Sequence, residues 1–131
     1  MGNLSQNFSK SEFRCKHCNT FIIKEDLICS LQELRNLVQR PIHILSGYRC
    51  KKHPESLKNP DSYHTKGMAA DLEIDGLTIE QMYEFALKIE KFRHGGIGLY
   101  DSGFIHVDIR QNIARWARIN GKYVGISQIL N

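Results

Sequence analysis

The stretch that most constrains this chain is residues 62–71, SYHTKGMAAD, where a histidine and an aspartate stand seven positions apart across a glycine. The residues after Gly67 are small or apolar, so we expect the chain to leave a turn there and enter a buried strand containing Asp71. An ionised carboxylate in an apolar strand is costly unless it is hydrogen-bonded, paired or bound to a cation. Because zinc accepts both imidazole and carboxylate ligands, His64 and Asp71 indicate a metal site.

A second strand pattern, FIHVDIR over residues 104–110, supplies a third ligand. Strict alternation places His106, Asp108 and Arg110 on one face of this strand and the aliphatic residues on the other. Two histidines and one carboxylate, with a fourth position left open, form the ligand set of a catalytic zinc site. The predicted zinc ligands are His64, Asp71 and His106.

Three sequence blocks together resemble a known family. The blocks follow one another along the chain: the SGYR segment at 46–49, the string S-x-H-x-x-G-x-A-x-D at 62–71 and the GFIHVD segment at 103–108. They resemble the zinc D-alanyl-D-alanine carboxypeptidase family, which also includes murein endopeptidases, phage endolysins and the amino-terminal domain of hedgehog proteins. The resemblance extends over roughly residues 8–116.

The resemblance implies a zinc metallopeptidase that cuts peptidoglycan peptide bonds involving D-amino acids, as a carboxypeptidase or an endopeptidase. It also implies that Arg49, the arginine of the SGYR segment, holds a carboxylate of the peptide substrate. A planar guanidinium is suited to that bidentate contact. The alternative for Arg49 is an ordinary surface arginine.

The general base is where this chain departs from the family. In several branches of the family the base is an acidic residue three positions before the last histidine ligand, and that position is Gly103 here. We predict Asp108 as the replacement, because it shares a strand face with His106. Asp101 is the second candidate. The alternative role for Asp108 is to orient a ligand histidine through a hydrogen bond.

Two other functions are open at this stage. A non-enzymatic zinc-binding domain, as in hedgehog proteins, is favoured by the missing acid at Gly103. A nucleic-acid binder would use the C-x-x-C motif and the basic residues, but the formal charge is only +4 and the positive residues are scattered. We therefore expect a peptidoglycan peptide as partner, and no nucleic acid.

Length and composition predict one domain over residues 1–131, expected to be a monomer. The chain is 41% hydrophobic and 24% charged, and no apolar run approaches the roughly 18 residues of a membrane span. The first seven residues lack a basic region followed by an apolar core. We expect cytoplasmic synthesis without a signal peptide, with action on the cell wall after release or export, as in phage or prophage lysis.

The four cysteines allow a second metal ion. Cys15 and Cys18 form a C-x-x-C motif, and Cys29 and Cys50 are the other two. Four thiolates can hold a structural zinc ion. In a reducing cytosol the same thiols can instead be small buried residues, and a disulfide is favoured only outside the cell.

The remaining patterns predict an α+β fold, with a small antiparallel sheet carrying the zinc site and packed against two main helices. Helical periodicity covers 24–38, and a capping box of Thr78 and Gln81 opens a helix through about 92. Turn residues predict a loop over 50–61. Strands are predicted at 42–46 and 95–100, the latter in a hairpin with the 104–110 strand. Asn120-Gly121 predicts a second hairpin at an added edge.

Overall fold

The computed structural model of the chain describes residues 4–59 and 61–130. Residues 1–3 and Pro60 lie outside the described residues. Residues 1–3 are part of the segment 1–7 from which the absence of a signal peptide was predicted. The helices are α1 Lys10–Phe13, α2 Glu25–Val38, α3 Pro54–Lys58, α4 Ile79–Ala86, α5 Glu90–Arg93 and α6 Ser127–Leu130. The strands are β1 Ile42–Ser46, β2 Ala69–Ile74, β3 Gly96–Tyr100, β4 Phe104–Asp108, β5 Ala114–Ile119 and β6 Lys122–Val124. Among the described residues, no helix has the length and apolar character needed to cross a bilayer.

The predicted α+β class is confirmed, but the sheet is larger than predicted and only four of its five strand pairings are antiparallel. Six strands form one sheet in the order β1-β2-β4-β3-β5-β6, and β5 runs parallel to β3. A short connection reverses the chain after β4, so β5 runs opposite to β4 as expected. However, β2 and β3 already occupy both edges of β4. The returning strand therefore pairs with the free edge of β3.

One of the two predicted main helices is shorter than predicted. The α2 helix forms as predicted, but the helix predicted over 78–92 ends at Ala86 and a short separate helix begins at Glu90. Ile89 is extended, with φ −95° and ψ 117°, and this conformation interrupts the helical hydrogen bonds. The capping box is confirmed, because the backbone N–H of Gln81 donates to Thr78 Oγ1 at 3.2 Å and the side chain of Gln81 accepts from the backbone of Thr78.

The segment predicted as a loop over 50–61 contains the short helix α3. His53 caps this helix by accepting a hydrogen bond from the backbone N–H of Glu55 at 3.0 Å. Pro54 occupies the first helical turn, where its fixed φ is favourable and its missing N–H costs nothing. The four additional short helices of the described residues mean that the two-helix description is incomplete.

The two faces of the sheet have different roles. One face is apolar: Leu72, Ile105 and Leu99 lie side by side on β2, β4 and β3 and are fully buried. The α4 helix packs against β3 and β4 on the sheet, and α2 packs against α4. Because strand side chains alternate, the neighbouring residues of the same strands point to the opposite face. That opposite face carries the polar residues singled out in the sequence.

Candidate metal centre

A single row of paired positions crosses four strands on the polar face of the sheet. Asp71 on β2 pairs with His106 on β4, His106 pairs with Gly98 on β3, and Gly98 pairs with Trp116 on β5. Paired residues in a sheet point to the same side. The register therefore places the aspartate, the histidine and the indole next to one another, with a gap at the glycine.

His64 reaches the same place from a 3₁₀ helix over Tyr63–Lys66 that directly precedes β2. Ser62 caps this turn by accepting a hydrogen bond from the backbone N–H of His64 at 3.2 Å. Gly67 ends it with φ +70°, and a side chain there would overlap the carbonyl of Ile22. The glycine of the motif is required for the chain to turn from His64 into the strand of Asp71.

The structure brings the three predicted ligands together. Their candidate ligand atoms lie within 4.8 Å of one another. Nε2 of His64 lies 3.2 Å from Oδ1 of Asp71, and Nδ1 of His106 lies 3.1 Å from the same oxygen. All three residues are buried. This cluster of His64, Asp71 and His106 is the candidate metal centre.

In each imidazole, the nitrogen that points away from Asp71 has a hydrogen-bond acceptor. This arrangement leaves the other nitrogen, which faces Asp71, available to bind a metal. Nδ1 of His64 donates to the carbonyl of Gly47 at 2.8 Å, and Nε2 of His106 donates to Asp108 Oδ2 at 2.7 Å. Since a carbonyl or an ionised carboxylate can only accept, these nitrogens carry the protons of the neutral rings. The lone pairs of the inner nitrogens then face the carboxylate of Asp71, and this donor set suits zinc.

The electrostatics of the centre keep its carboxylate ionised. Burial opposes ionisation of Asp71, but His64 and His106 outweigh it and hold the pKa of this carboxyl below its usual range. Burial lowers the pKa of His64. Burial also opposes protonation of His106, but the carboxylates of Asp108 and Asp71 beside its two nitrogens outweigh that and raise its pKa. Asp71 is also paired with Arg49, and Asp108 with Arg110, so both carboxylates stay ionised and the oxygens of Asp71 remain available to a metal ion.

Asp108 does not have the surroundings of a general base. It is fully buried, Oδ1 accepts hydrogen bonds from the backbone N–H of Gly96 and of Arg110, and Oδ2 accepts from His106. Burial opposes its ionisation, but His106 and Arg110 outweigh it and hold the pKa of Asp108 well below its usual range. A base needs access to water and a pKa near the working pH. These contacts favour the alternative, in which Asp108 orients His106, and the base role stays a prediction.

The second candidate base, Asp101, lies in the exposed turn between β3 and β4. Its Oδ2 accepts a hydrogen bond from the backbone N–H of Asn120 at 2.9 Å, so it fastens this turn to the neighbouring hairpin. Asp101 and Asp108 are both absent from the residues that line the cavity over the metal centre. The structure therefore brings neither carboxylate to the open side of the metal centre.

Arg49 lies at the metal centre, as the SGYR resemblance implied. Its Nη2 donates to Asp71 Oδ2 at 3.0 Å, its Nε donates to Ser46 Oγ at 3.0 Å, and its side chain lines the cavity. The backbone N–H of Arg49 also donates to the carbonyl of His64 at 3.2 Å. These contacts exclude the alternative of an ordinary surface arginine. Whether Arg49 binds substrate stays a prediction.

A cavity of about 860 Å³ opens over the metal centre. Its wall includes three residues that the sequence had not marked as functional: Tyr100, Arg110 and Trp116. The guanidinium of Arg110 lies 4.3 Å from the ring centre of Tyr63 and 5.3 Å from that of Trp116. The ring of Trp116 lies 5.0 Å from that of His106, and its Nε1 donates to the hydroxyl of Tyr100 at 3.3 Å.

Gly98 makes room for this aromatic wall, so enlarging it is expected to move Trp116. A methyl group at position 98 would overlap the indole. We expect Gly98→Ala to displace Trp116 from His106 and to destabilise the fold by roughly 1–3 kcal/mol. Because Trp116 is the one tryptophan of the chain, its fluorescence spectrum reports the displacement directly. Gly125→Ala is the matched control, since a methyl group there meets only Ser127 at 3.9 Å. An unchanged Gly98→Ala spectrum would contradict this packing.

The four cysteines do not come together as one set. The thiols of Cys15, Cys18 and Cys50 lie within 4.8 Å of one another. Cys29 lies exposed on α2 and is not part of that group. The predicted four-cysteine ligand set is therefore wrong in its membership, because helix α2 presents Cys29 elsewhere.

Comparison with known proteins agrees with this geometry. A family model described as peptidoglycan L,D-endopeptidase MepK matches residues 13–116. The Escherichia coli K12 protein named peptidoglycan L,D-endopeptidase MepK is 34% identical over 95 residues, which are 66% of this chain and 50% of that protein. A Haemophilus influenzae protein named probable peptidoglycan L,D-endopeptidase MepK is 33% identical over 86 residues, 60% of this chain and 45% of that protein.

The match confirms the murein peptidase family that the three sequence blocks resembled. The chain spans about half the length of the curated relatives it matches. The family model covers the SGYR segment, the 3₁₀ turn and both strands that bear the candidate metal centre. The chain therefore belongs to the peptidase family described as peptidoglycan L,D-endopeptidase MepK.

Proposed function

We propose that this chain is a zinc-dependent endopeptidase that hydrolyses peptidoglycan peptides at a bond between an L- and a D-amino acid. The convergence of His64, Asp71 and His106 beneath an open cavity carries the proposal. Membership of the family supports the peptidase activity, and the names of the relatives in Escherichia coli and Haemophilus influenzae support the L,D-endopeptidase specificity.

In this proposal, Nε2 of His64, a carboxylate oxygen of Asp71 and Nδ1 of His106 hold the zinc ion. When bound, zinc supplies Lewis-acid activation of a water molecule and of a peptide carbonyl. Gly47 and Asp108 fix the imidazole orientations through the hydrogen bonds described above. Such fixed orientations lower the cost of reorganisation during the reaction.

The charge of the cavity fits an anionic peptide. Its lining includes the cations Arg49, Lys58, Arg110 and Arg118 and the carboxylates Glu55 and Asp71. Glu55 lies 4.0 Å from Lys58, and Asp71 belongs to the metal centre. Arg110 is paired with the buried Asp108, so Arg118 and a bound zinc ion would supply the excess positive charge that attracts peptides with free carboxylates. Arg49 donates a hydrogen bond to a candidate ligand, Asp71, and is our candidate for holding a substrate carboxylate.

Replacing Arg49 with lysine is expected to weaken substrate binding while zinc content stays normal. Lysine keeps the charge but loses the planar fork that matches a carboxylate. A lost charge-assisted hydrogen bond of about 1.5–3 kcal/mol corresponds to roughly a tenfold to hundredfold rise in KM. Steady-state kinetics on a purified wall peptide measures the effect. Arg40→Lys, at an exposed arginine outside the cavity, is the control. Unchanged kinetics in Arg49→Ala would remove Arg49 from substrate binding.

Digestion of purified sacculi tests the proposed specificity. Mass spectrometry of the released fragments identifies the bond that is cut. The proposal predicts cleavage between L- and D-residues, whereas loss of terminal D-alanine alone would indicate the carboxypeptidase activity also considered from the sequence. A chelator should stop release, and added zinc should restore it. Action on the wall after release or export stays part of the proposal.

A non-enzymatic zinc-binding domain is the second candidate function. Two observations favour it: Gly103 stands where several family branches have an acid, and neither Asp101 nor Asp108 lines the cavity. This alternative predicts that the protein binds zinc and wall fragments but releases no product from sacculi. Turnover above that of the His106→Ala variant would exclude it.

A further inference from the structure

A second group of metal-binding side chains lies outside the candidate metal centre. Cys15 and Cys18 come from the loop after α1, and Cys50 comes from the segment before α3. Their three thiols lie within 4.8 Å of one another and are all free. We call Cys15, Cys18 and Cys50 the cysteine cluster. The proposed peptidase mechanism does not use it.

A tight loop turns the first two thiols toward the third. The backbone N–H of Asn19 donates to the carbonyl of Cys15 at 2.7 Å, and the N–H of Cys15 donates to the carbonyl of Thr20 at 2.7 Å. Asn19 has φ +61°, a left-handed conformation that asparagine tolerates well. In addition, the backbone N–H of Cys50 donates to Cys15 Sγ at 3.3 Å. This N–H stabilises negative charge on that sulfur.

His17 is the candidate for the fourth ligand, although its nitrogens are not within 4.8 Å of all three thiols. It lies between the two cysteines of the C-x-x-C motif, and its Nδ1 lies 3.6 Å from Cys50 Sγ. The neighbouring His53 is less suitable, because its Nδ1 already accepts the capping hydrogen bond from Glu55. Cys29 is excluded by its position on α2.

We propose that Cys15, Cys18, Cys50 and His17 bind one structural zinc ion. Three thiolates and one imidazole make a closed tetrahedral ligand set, and a spacing of two residues between cysteines is usual in such sites. Binding releases the thiol protons to solvent. The ligand set has no open position, so this ion has no part in hydrolysis.

The second ion would fasten a segment that also supports the metal centre. Within residues 47–50, Gly47 accepts from His64, Arg49 donates to Asp71, and Cys50 belongs to the cysteine cluster. Tyr48 in the same segment donates its backbone N–H to the carbonyl of Phe13 at 2.9 Å. An ion at the cysteine cluster therefore ties the loop after α1 to the backbone that orients His64 and Arg49.

Metal analysis of protein prepared with zinc and reductant tests the proposal. We expect two equivalents in the parent protein and one in Cys18→Ser, a substitution at an exposed thiol. Cys29→Ser is the matched control and should retain two. A variant with both His64→Ala and His106→Ala should retain one. Cobalt substitution should give thiolate-to-cobalt charge-transfer absorption in this double variant but not in Cys18→Ser.

One equivalent in the parent protein, or two in Cys18→Ser, would overturn the proposal. A parent protein whose mass shows a disulfide among these cysteines after purification with zinc and reductant would also overturn it. Thiol titration of the folded parent adds a test that needs no variant, because three thiols should become reactive only with a chelator. For the fourth ligand, His17→Ala should lower zinc affinity at this site and His53→Ala should not. The reverse result would overturn the assignment of His17.

Discussion

Replacing His106 with alanine is expected to abolish peptide hydrolysis and to remove the zinc ion from the candidate metal centre. The substitution deletes one of three predicted ligands and removes the imidazole that lies between Asp71 and Asp108. Lewis-acid catalysis contributes several kcal/mol to such reactions, so we expect at least about a thousandfold loss of kcat/KM. Steady-state kinetics and metal analysis on the same preparation measure the two losses.

The matched control for this prediction is His43→Ala. His43 is an exposed histidine on β1 that also bonds to an aspartate, with Nε2 2.7 Å from Asp75 Oδ1, but it lies outside the cavity. Its replacement should leave metal content and kinetics unchanged. Full zinc content together with normal turnover in His106→Ala would contradict the ligand assignment.

The second large effect is expected for Asp108→Asn, which separates an orienting role from a base role. Asparagine keeps the size of the side chain but removes the charge that holds His106 and Arg110. We expect zinc affinity to fall about 10-fold to 100-fold, as for other residues that orient a metal ligand. Loss of one partner from a buried ion pair also lowers the free energy of unfolding, by roughly 3 kcal/mol.

Turnover at saturating zinc decides between the two roles. An orienting carboxylate predicts that kcat largely recovers once zinc saturates the site. A general base predicts normal zinc affinity with a loss of roughly a hundredfold to ten-thousandfold in kcat. Asp101→Asn is the control, since this residue only fastens a surface turn. The contacts of Asp108 predict the first result, and the second would restore the base role.

The three candidate ligands could be predicted from the sequence because each follows from local rules. Gly67 forces the turn after His64, the apolar residues around Asp71 define a buried strand, and alternation puts His106 on a polar face. The hairpin at Asn120 and Gly121 was equally local. Both residues have positive φ, 52° and 78°, as this kind of two-residue turn requires.

Other parts of the site depend on pairings between distant segments and could not be predicted. Trp116 reaches His106 only because β5 pairs with β3 across Gly98, and no local pattern specifies that parallel pairing. Alternation placed Arg110 on the correct face, but its position between Tyr63 and Trp116 requires the tertiary structure.

Asp108 shows the limit of strand periodicity most clearly. Period two correctly places it on the face of His106, but periodicity does not distinguish a side chain in the open cavity from one behind a ligand. The backbone N–H of Gly96 and the side chain of Arg110 donate hydrogen bonds to the carboxylate of Asp108, and these contacts place it behind His106 and not in the cavity. The cysteine cluster shows the same limit. Sequence spacing identified the C-x-x-C motif, but only the fold shows that Cys50 and not Cys29 lies beside it.

The central claim is that His64, Asp71 and His106 hold the zinc ion that peptide hydrolysis requires. Crystals grown with zinc allow anomalous difference maps on both sides of the zinc absorption edge, and these maps locate the ion directly. We expect a peak within coordination distance, about 2.0–2.2 Å, of His64 Nε2, an Asp71 carboxylate oxygen and His106 Nδ1, facing the cavity. A fully occupied zinc peak elsewhere, with none between these three residues, would contradict it.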